Sequence, residues 1–243
     1  MARQFLVENK SIEKVDENLF KITGSEVKHI QVLRHNIGDN IKINSSIYEI
    51  IKMTKNEVYV KLVKDKEIKK RNIEVTLYLA VLKNEMMELS IKKATELGVD
   101  KIVPFFSKNV VVNLDNKEEK KLEKYKKIVS EAVKQCGRDT IPSIENFKTI
   151  EELDFKNEDV VFMAYEKEKA NFKEKVLVVK QKEIKKIGII IGPEGGFDEK
   201  EVLKLRENKN MEVVGLGSRI LRAETAAISM ISVINYEFEV ESI

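Results

Sequence analysis

Two glycine-bearing loops hold the residue types in this sequence that can do chemistry. The first is Gly192-Pro193-Glu194-Gly195-Gly196-Phe197, where three of the chain's ten glycines fall within five positions. Glycines there permit positive φ and let the backbone approach a ligand closely. The loop follows the apolar run Ile187–Ile191 and precedes a helix that Asp198 can cap. Ligands in open parallel sheets commonly sit outside the carboxyl ends of the strands. The loop lacks the Lys-Ser/Thr of a P-loop and the G-x-G-x-x-G spacing of a dinucleotide fingerprint. Taken alone, it is equally well read as a tight turn without a ligand.

The second loop is Gly215-Leu216-Gly217-Ser218-Arg219-Ile220-Leu221-Arg222, continuing into Ala223-Glu224-Thr225-Ala226-Ala227. It repeats the order of strand, glycines and helix start. Arg219 and Arg222 are two of only seven arginines among 44 basic residues. In a lysine background, an arginine marks a position where a planar fork matters, for phosphate, carboxylate or stacking. Ile220 and Leu221 interrupt a polar stretch, either to cover the apolar face of a ligand or to thread into the core. Glu224 falls in the first helical turn, where the macrodipole favours a carboxylate even without another role.

Composition narrows the chemistry. With 243 residues, 42% of them hydrophobic, the chain can bury a core in one or two domains. The single cysteine, Cys136, excludes an intrachain disulfide and a Cys-rich zinc site, and reads as a small hydrophobe. The two histidines, His29 and His35, read as structural or RNA-contacting rather than catalytic. No metal cluster is expected. No apolar leader follows Met1, and no run approaches the ~20 apolar residues of a membrane span. Together these point to the cytoplasm and away from membranes. The net charge of +3 conceals an asymmetry: residues 1–72 carry +5 and the remainder −2. A basic first third suits a polyanion such as nucleic acid, although a lysine-rich chain also produces such splits by chance.

The elements that position these loops follow from periodicity. Residues 1–72 read as short strands (3–8, 40–43, 47–53, 57–63) with one helix over 26–33 capped by Ser25, hence a small β-rich barrel or sandwich. The charged stretch 64–72 is the expected boundary. From Ile73, strands at 73–82, 101–106, 159–164, 187–191 and 211–215 alternate with helices at 85–97, 118–135, 172–182, 198–207 and 223–238. Gly98 and Gly137 stand where C′ glycines belong. Such alternation predicts an α/β domain over 73–243 with a mostly parallel sheet.

GPEGGF at 192–197 together with LGSRILRAETAA at 216–227 resembles the RsmE family of SPOUT-class RNA methyltransferases. HIQVLRHNIGD at 29–39, KKATELGVDKIVPFFSK at 92–108 and SEAVKQCGR at 130–138 extend the likeness over nearly the whole chain. The resemblance implies an N-terminal PUA-like β-barrel that binds RNA and a trefoil-knotted C-terminal α/β domain. It implies a homodimer that uses S-adenosyl-L-methionine to methylate N3 of one uridine in the 16S rRNA of the small ribosomal subunit. Carried over by position, the cofactor pocket comprises Ala164, Tyr165 and Glu166, then Gly192, Pro193, Glu194, Gly195 and Gly196. It continues with Leu216, Gly217, Ser218, Ile220 and Leu221, with Thr225 and Ala226 beyond Glu224. The chain departs from the family's usual Pro at Ser218, which implies a less rigid loop. It departs again at Lys108-Asn109, where Glu-Arg is more frequent.

Arg222 or Arg219 is expected to stabilise the uridine anion, and Glu224 to orient a partner or take the N3 proton. Arg3, Lys28 and Arg34 are expected on RNA phosphates, and Arg138 in the pocket or on the RNA path. Glu131 and Gln135 share a helix face with Arg138 and would form a polar wall. Two alternatives stand beside this reading: a SPOUT ribose 2′-O-methyltransferase and a non-catalytic, ribosome-associated RNA-binding protein.

Overall fold

The computed structural model describes residues 4–7, 9–65, 72–114 and 117–238. Arg3 and most of the charged boundary stretch 64–72 lie outside the described residues, as do both ends of the strand expected over 3–8. The chain divides into two compact units, residues 1–69 with 130–140, and residues 70–129 with 141–243.

The first unit is built on one six-stranded mixed sheet. Its strands are β1 (Gln4–Phe5), β2 (Ile12–Lys14), β3 (Leu19–Ile22), β4 (Asn40–Ile43), β5 (Ser46–Met53) and β6 (Val58–Lys64), in the order β1-β4-β5-β6-β3-β2. β1 runs parallel to β4 and the other pairs are antiparallel. One face buries Ile41, Ile43, Ile50, Val58 and Val60 at alternate positions, against Phe5 and the Val27–Ile30 side of helix α1 (Ser25–Val32). Ser25 does not cap this helix. Gly24, at φ +84°, takes the N-cap place, no side chain caps the helix, and Ser25 is its first residue. The β2–β3 hairpin is absent from the periodicity because β2 is an edge strand that alternates no apolar residues. Residues 130–140 join this unit through side chains distant in sequence. Lys134 pairs with Glu26 at 2.6 Å, and Lys42 donates to the Gly137 carbonyl at 2.9 Å and the Asp139 carboxylate at 3.0 Å. His29 and His35 present their rings edge-on to Phe5, at 5.4 and 5.7 Å.

The second unit holds β7 (Glu74–Ala80), α2 (Asn84–Glu96), β8 (Lys101–Phe106), α3 (Glu118–Cys136, whose residues from 130 on belong to the first unit), β9 (Ser143–Ile144) and β10 (Lys148–Thr149). It continues with β11 (Val160–Ala164), α4 (Phe172–Val179), β12 (Lys186–Ile191), α5 (Glu199–Arg206), β13 (Met211–Val214) and α6 (Ala223–Phe238). The strands pair in the order β10-β8-β7-β12-β11-β13, with β9 also on β8, and every pairing is parallel. A parallel sheet is covered on both faces, which is why Val75–Ala80 and Ile187–Ile191 are buried without alternation. The two-residue strands β9 and β10 are too short to leave a periodic trace.

Parallel pairing has one consequence for function. The carboxyl ends of β7, β8, β11, β12 and β13 all open on the same edge of the sheet. Asp198 caps α5 as expected, accepting from the Lys200 amide, and Glu201 completes a capping box. Helix α6 is seated by Met230, Ile231 and Ile234, each fully buried and each contributing about 1.5–3 kcal/mol. Its first turn, with Glu224, is therefore held in place from within the core.

Candidate active site

A cavity of about 710 Å³ opens at that carboxyl edge, within the range typical of small-molecule sites (~300–1,000 Å³). Four strand ends supply its lining. Ala164, Tyr165 and Glu166 follow β11, with Tyr165 buried and Glu166 exposed at the rim. Gly192, Pro193, Glu194, Gly195 and Gly196 follow β12 and all line it. After β13 come Leu216, Gly217, Ser218, Arg219, Ile220, Leu221 and Arg222, then Glu224 and Ala226 from α6. Lys83 and Met86, from the junction of β7 and α2, complete it.

Thr225 is the exception among the expected pocket residues. It is exposed and does not line the cavity, because each helical step of ~100° turns it away from the face shared by its neighbours. Lys28, Arg34 and Arg138 belong to the first unit and none lines the cavity. Lys28 and Arg34 are exposed, and Arg138 donates to Thr140 Oγ1 at 3.0 Å. Glu131 and Gln135 likewise belong to the first unit and do not form a wall of this cavity.

The first loop is shaped by its own backbone and by neighbours. The Gly196 amide donates to the Pro193 carbonyl at 2.9 Å, closing a turn in which Gly196 takes φ +72°, a left-handed conformation suited to glycine. The Glu194 carboxylate accepts from the Lys83 amide at 3.0 Å. Lys83 is the N-cap residue of α2, so the helix macrodipole favours the anion there. Phe197 is buried and stacks on Phe105, anchoring the loop's end in the core. Asp198 accepts from Lys108 Nζ at 2.6 Å. That hydrogen bond, reinforced by the Lys200 amide, holds its carboxyl below the usual carboxylate range and raises the Lys108 ammonium.

The second loop leaves β13 through a tight passage. The Gly215 amide donates to the Ala170 carbonyl at 2.8 Å, and the Phe172 amide donates back to the Gly215 carbonyl at 3.2 Å. A Cβ on Gly215 would overlap the Glu168 carbonyl oxygen. Glu168 is fixed in turn. Its carboxylate accepts from the Ala170 and Lys169 amides and from Arg206, and these bonds, the Ala170 amide first, hold its pKa below the ordinary range.

The cavity's electrostatics are unusual. Glu224 is only 8% exposed, yet it has no hydrogen-bond or ion-pair partner among the described residues. Lys83, Arg219 and Arg222 likewise have no side-chain partner among them, so three cations and a buried carboxylate face one space unengaged. The cations are solvent-exposed, and charged groups left uncommitted around one cavity mark a place where a ligand can complete the bonding. Ile220, at 85% exposure, offers an uncovered apolar surface on the same wall. Lys83 and Met86 escape a reading of the sequence. The one signal for them is a lone cation at a strand end, on the sheet edge that the glycine loops already mark.

Among the described residues, no three His, Cys, Asp or Glu side chains cluster to hold a metal, and no helix is long and apolar enough to cross a membrane. The family model described as RNA methyltransferase domain matches residues 69–235. The chain is 34% identical over 228 residues, 91% of its length and 96% of the relative's, to the ribosomal RNA small subunit methyltransferase E of Mesomycoplasma hyopneumoniae (strain 232). The chain belongs to the RsmE family of RNA methyltransferases. The methyltransferase is also 34% identical to the protein of the same name from Bacillus subtilis (strain 168), covering 98% of each chain. Its fold is similar to that of a methyltransferase from Legionella pneumophila solved in complex with the bound cofactor SAM. The TM-score is 0.80 and the identity 25%, over 97% of this chain and 98% of that one. The methyltransferase is therefore a SPOUT-type α/β enzyme with a small β-rich unit before it, and the non-catalytic alternative is not favoured.

Proposed function

We propose that this methyltransferase uses S-adenosylmethionine to methylate N3 of one uridine in the 16S rRNA of the small ribosomal subunit, acting as a cytoplasmic homodimer. The observation that carries the reading is the single cavity in which both glycine loops, two unengaged arginines and the partnerless Glu224 meet. The names of the relatives support the substrate, and the SAM-bound Legionella structure supports the cofactor.

The residues present fit that cofactor. Ile220, Leu221, Leu216 and Ala164 give apolar surface for an adenine, and the backbone of the two loops supplies the polar contacts such a ligand needs. When bound, S-adenosylmethionine supplies an electrophilic methyl carbon on its sulfonium. Glu224 stands as acceptor for the N3 proton, its lone pairs uncommitted to any other group. The resulting charge spreads onto the flanking carbonyl oxygens, where a guanidinium, Arg222 or Arg219, lowers the barrier by preorganised attraction.

Calorimetric titration of S-adenosylhomocysteine into the purified protein tests the cofactor site. One site per chain is expected, with binding abolished in Gly195→Trp, whose side chain would be driven against Asn109 and so displace the cavity's glycine wall. No binding by the folded wild-type protein would overturn the reading. Methylation of unmodified small subunits, mapped by mass spectrometry, then tests the uridine. Lys83 gives a separate prediction. Lys83→Gln should raise KM for the subunit several-fold and reduce the salt slope of RNA binding by ~0.7, leaving S-adenosylhomocysteine affinity unchanged.

A further inference from the structure

Ser107, Lys108 and Asn109 follow β8, and none of the three lines the cavity. All three nevertheless bond to its glycine wall or to the helix behind that wall. Ser107 Oγ donates to Glu201 at 3.0 Å, the Lys108 amide donates to the same carboxylate at 2.8 Å, and Lys108 Nζ pairs with Asp198. Asn109 Nδ2 donates to the Gly196 carbonyl at 3.1 Å and reaches the Gly195 carbonyl at 3.5 Å. No other donor to either carbonyl is found among the described residues. The packing is as close as the bonding. A Cβ on Gly195 would stand 3.0 Å from the Asn109 carbonyl oxygen and 3.1 Å from Asn109 Cβ.

The glycine loop is thus tied at two points. Glu194 holds one end to the start of α2, and Asn109 holds the other to the end of β8. The Lys108–Asp198 pair is solvent-exposed on the lysine side and contributes little by itself. The carboxamide of Asn109 is different, because among the described residues it alone fixes the direction of the two carbonyls. We propose that Asn109 is a positioning residue for the cofactor loop. By holding the Gly195 and Gly196 carbonyls toward β8, it sets the inner face that the loop turns to the cavity. This inference rests on the reading of that cavity as the S-adenosylmethionine site.

Asn109→Asp tests it, since the substitution keeps size and shape but replaces the donor with an oxygen facing two carbonyl oxygens. The dissociation constant of S-adenosylhomocysteine should rise about 10–100-fold. The kcat at saturating cofactor should stay within about threefold, as should KM for the subunit. The melting temperature of the ligand-free protein should stay within a few degrees. Gly195→Ala pushes the same contact apart from the loop side, at a residue whose φ is not positive, and should weaken the cofactor in the same way. The double variant should be no weaker than the weaker single one, the mark of a shared contact. Wild-type affinity within twofold in Asn109→Asp would overturn the inference, as would a loss of affinity that merely tracks a fall in melting temperature. If Asn109→Asp does not fold, Gly195→Ala decides on the same criteria. Failure of the wild-type protein to bind removes the cofactor reading and this inference with it. Binding by wild type and Asn109→Asp alike removes the inference alone.

Discussion

Arg222→Ala should lower kcat on small subunits by about 10²–10³-fold while S-adenosylhomocysteine still binds with near wild-type affinity. The expectation favours Arg222 over Arg219 because of how each is held. The Arg222 carbonyl accepts the Ala226 amide at 2.8 Å, so its backbone opens a helix whose inner face is fully buried. Both side chains are exposed, but Arg219 lies in the loop run 217–220, whose backbone opens no helix. A group that stabilises developing charge is effective when it need not be ordered at the moment of reaction. Arg222→Lys should recover only part of the loss, since an ammonium keeps the charge but not the planar fork. Single-turnover methyl transfer at saturating cofactor is the measurement. Turnover of Arg222→Ala within threefold of wild type would transfer the role to Arg219.

Gly215→Ala should be the most disruptive single methyl in the second unit. The added Cβ would overlap the Glu168 carbonyl oxygen, which is backbone and cannot rotate aside. Glu168 is itself pinned by the Lys169 and Ala170 amides and by Arg206, so relief requires moving a whole turn. Overpacking against backbone of this kind costs about 3 kcal/mol, and for a domain of this size that is a fall of roughly 6–12 °C in melting temperature. Cofactor affinity should fall as well, because residues 164–166 and 216–222 flank the displaced turn. Gly217→Ala is the informative contrast. Gly217 sits at φ +113° with open space around its Cβ position, so only conformational strain applies, about 1 kcal/mol. Differential scanning calorimetry of the two variants separates these causes. A Gly215→Ala protein melting within 2 °C of wild type would show that the passage yields more easily than its geometry implies.

The two glycine loops are legible in the sequence because their signals are local. Gly-Pro-Glu-Gly-Gly after a buried apolar run, and two arginines three apart before a helix, are patterns that short-range chemistry writes into the chain. The same holds for Asp198, whose capping box with Glu201 uses only four residues, and for the Met230–Ile231–Ile234 face of the last helix. Signals fail where the cause is long-range. Gly24 takes the place expected for Ser25 at the N-cap of the first helix, and the edge hairpin at 12–22 has no apolar alternation to betray it. Residues 130–140 join the first unit through Lys42 and Lys134, whose partners lie some hundred residues away in sequence.

The site shows the same division. The sequence by itself determined which residues are chemically competent: the glycines, Arg219, Arg222 and Glu224. Only the tertiary structure decided which of them share a space. Parallel pairing brought the carboxyl ends of β7, β11, β12 and β13 to one edge, added Lys83 and Met86 to the cavity, and excluded Thr225 by the rotation of a helix. It also set Asn109 against Gly195 and Gly196, 86 and 87 residues apart in the chain. The physical reason is that periodicity and turn chemistry report the few residues on either side of a position. The register of a parallel sheet depends on crossovers far longer than that window.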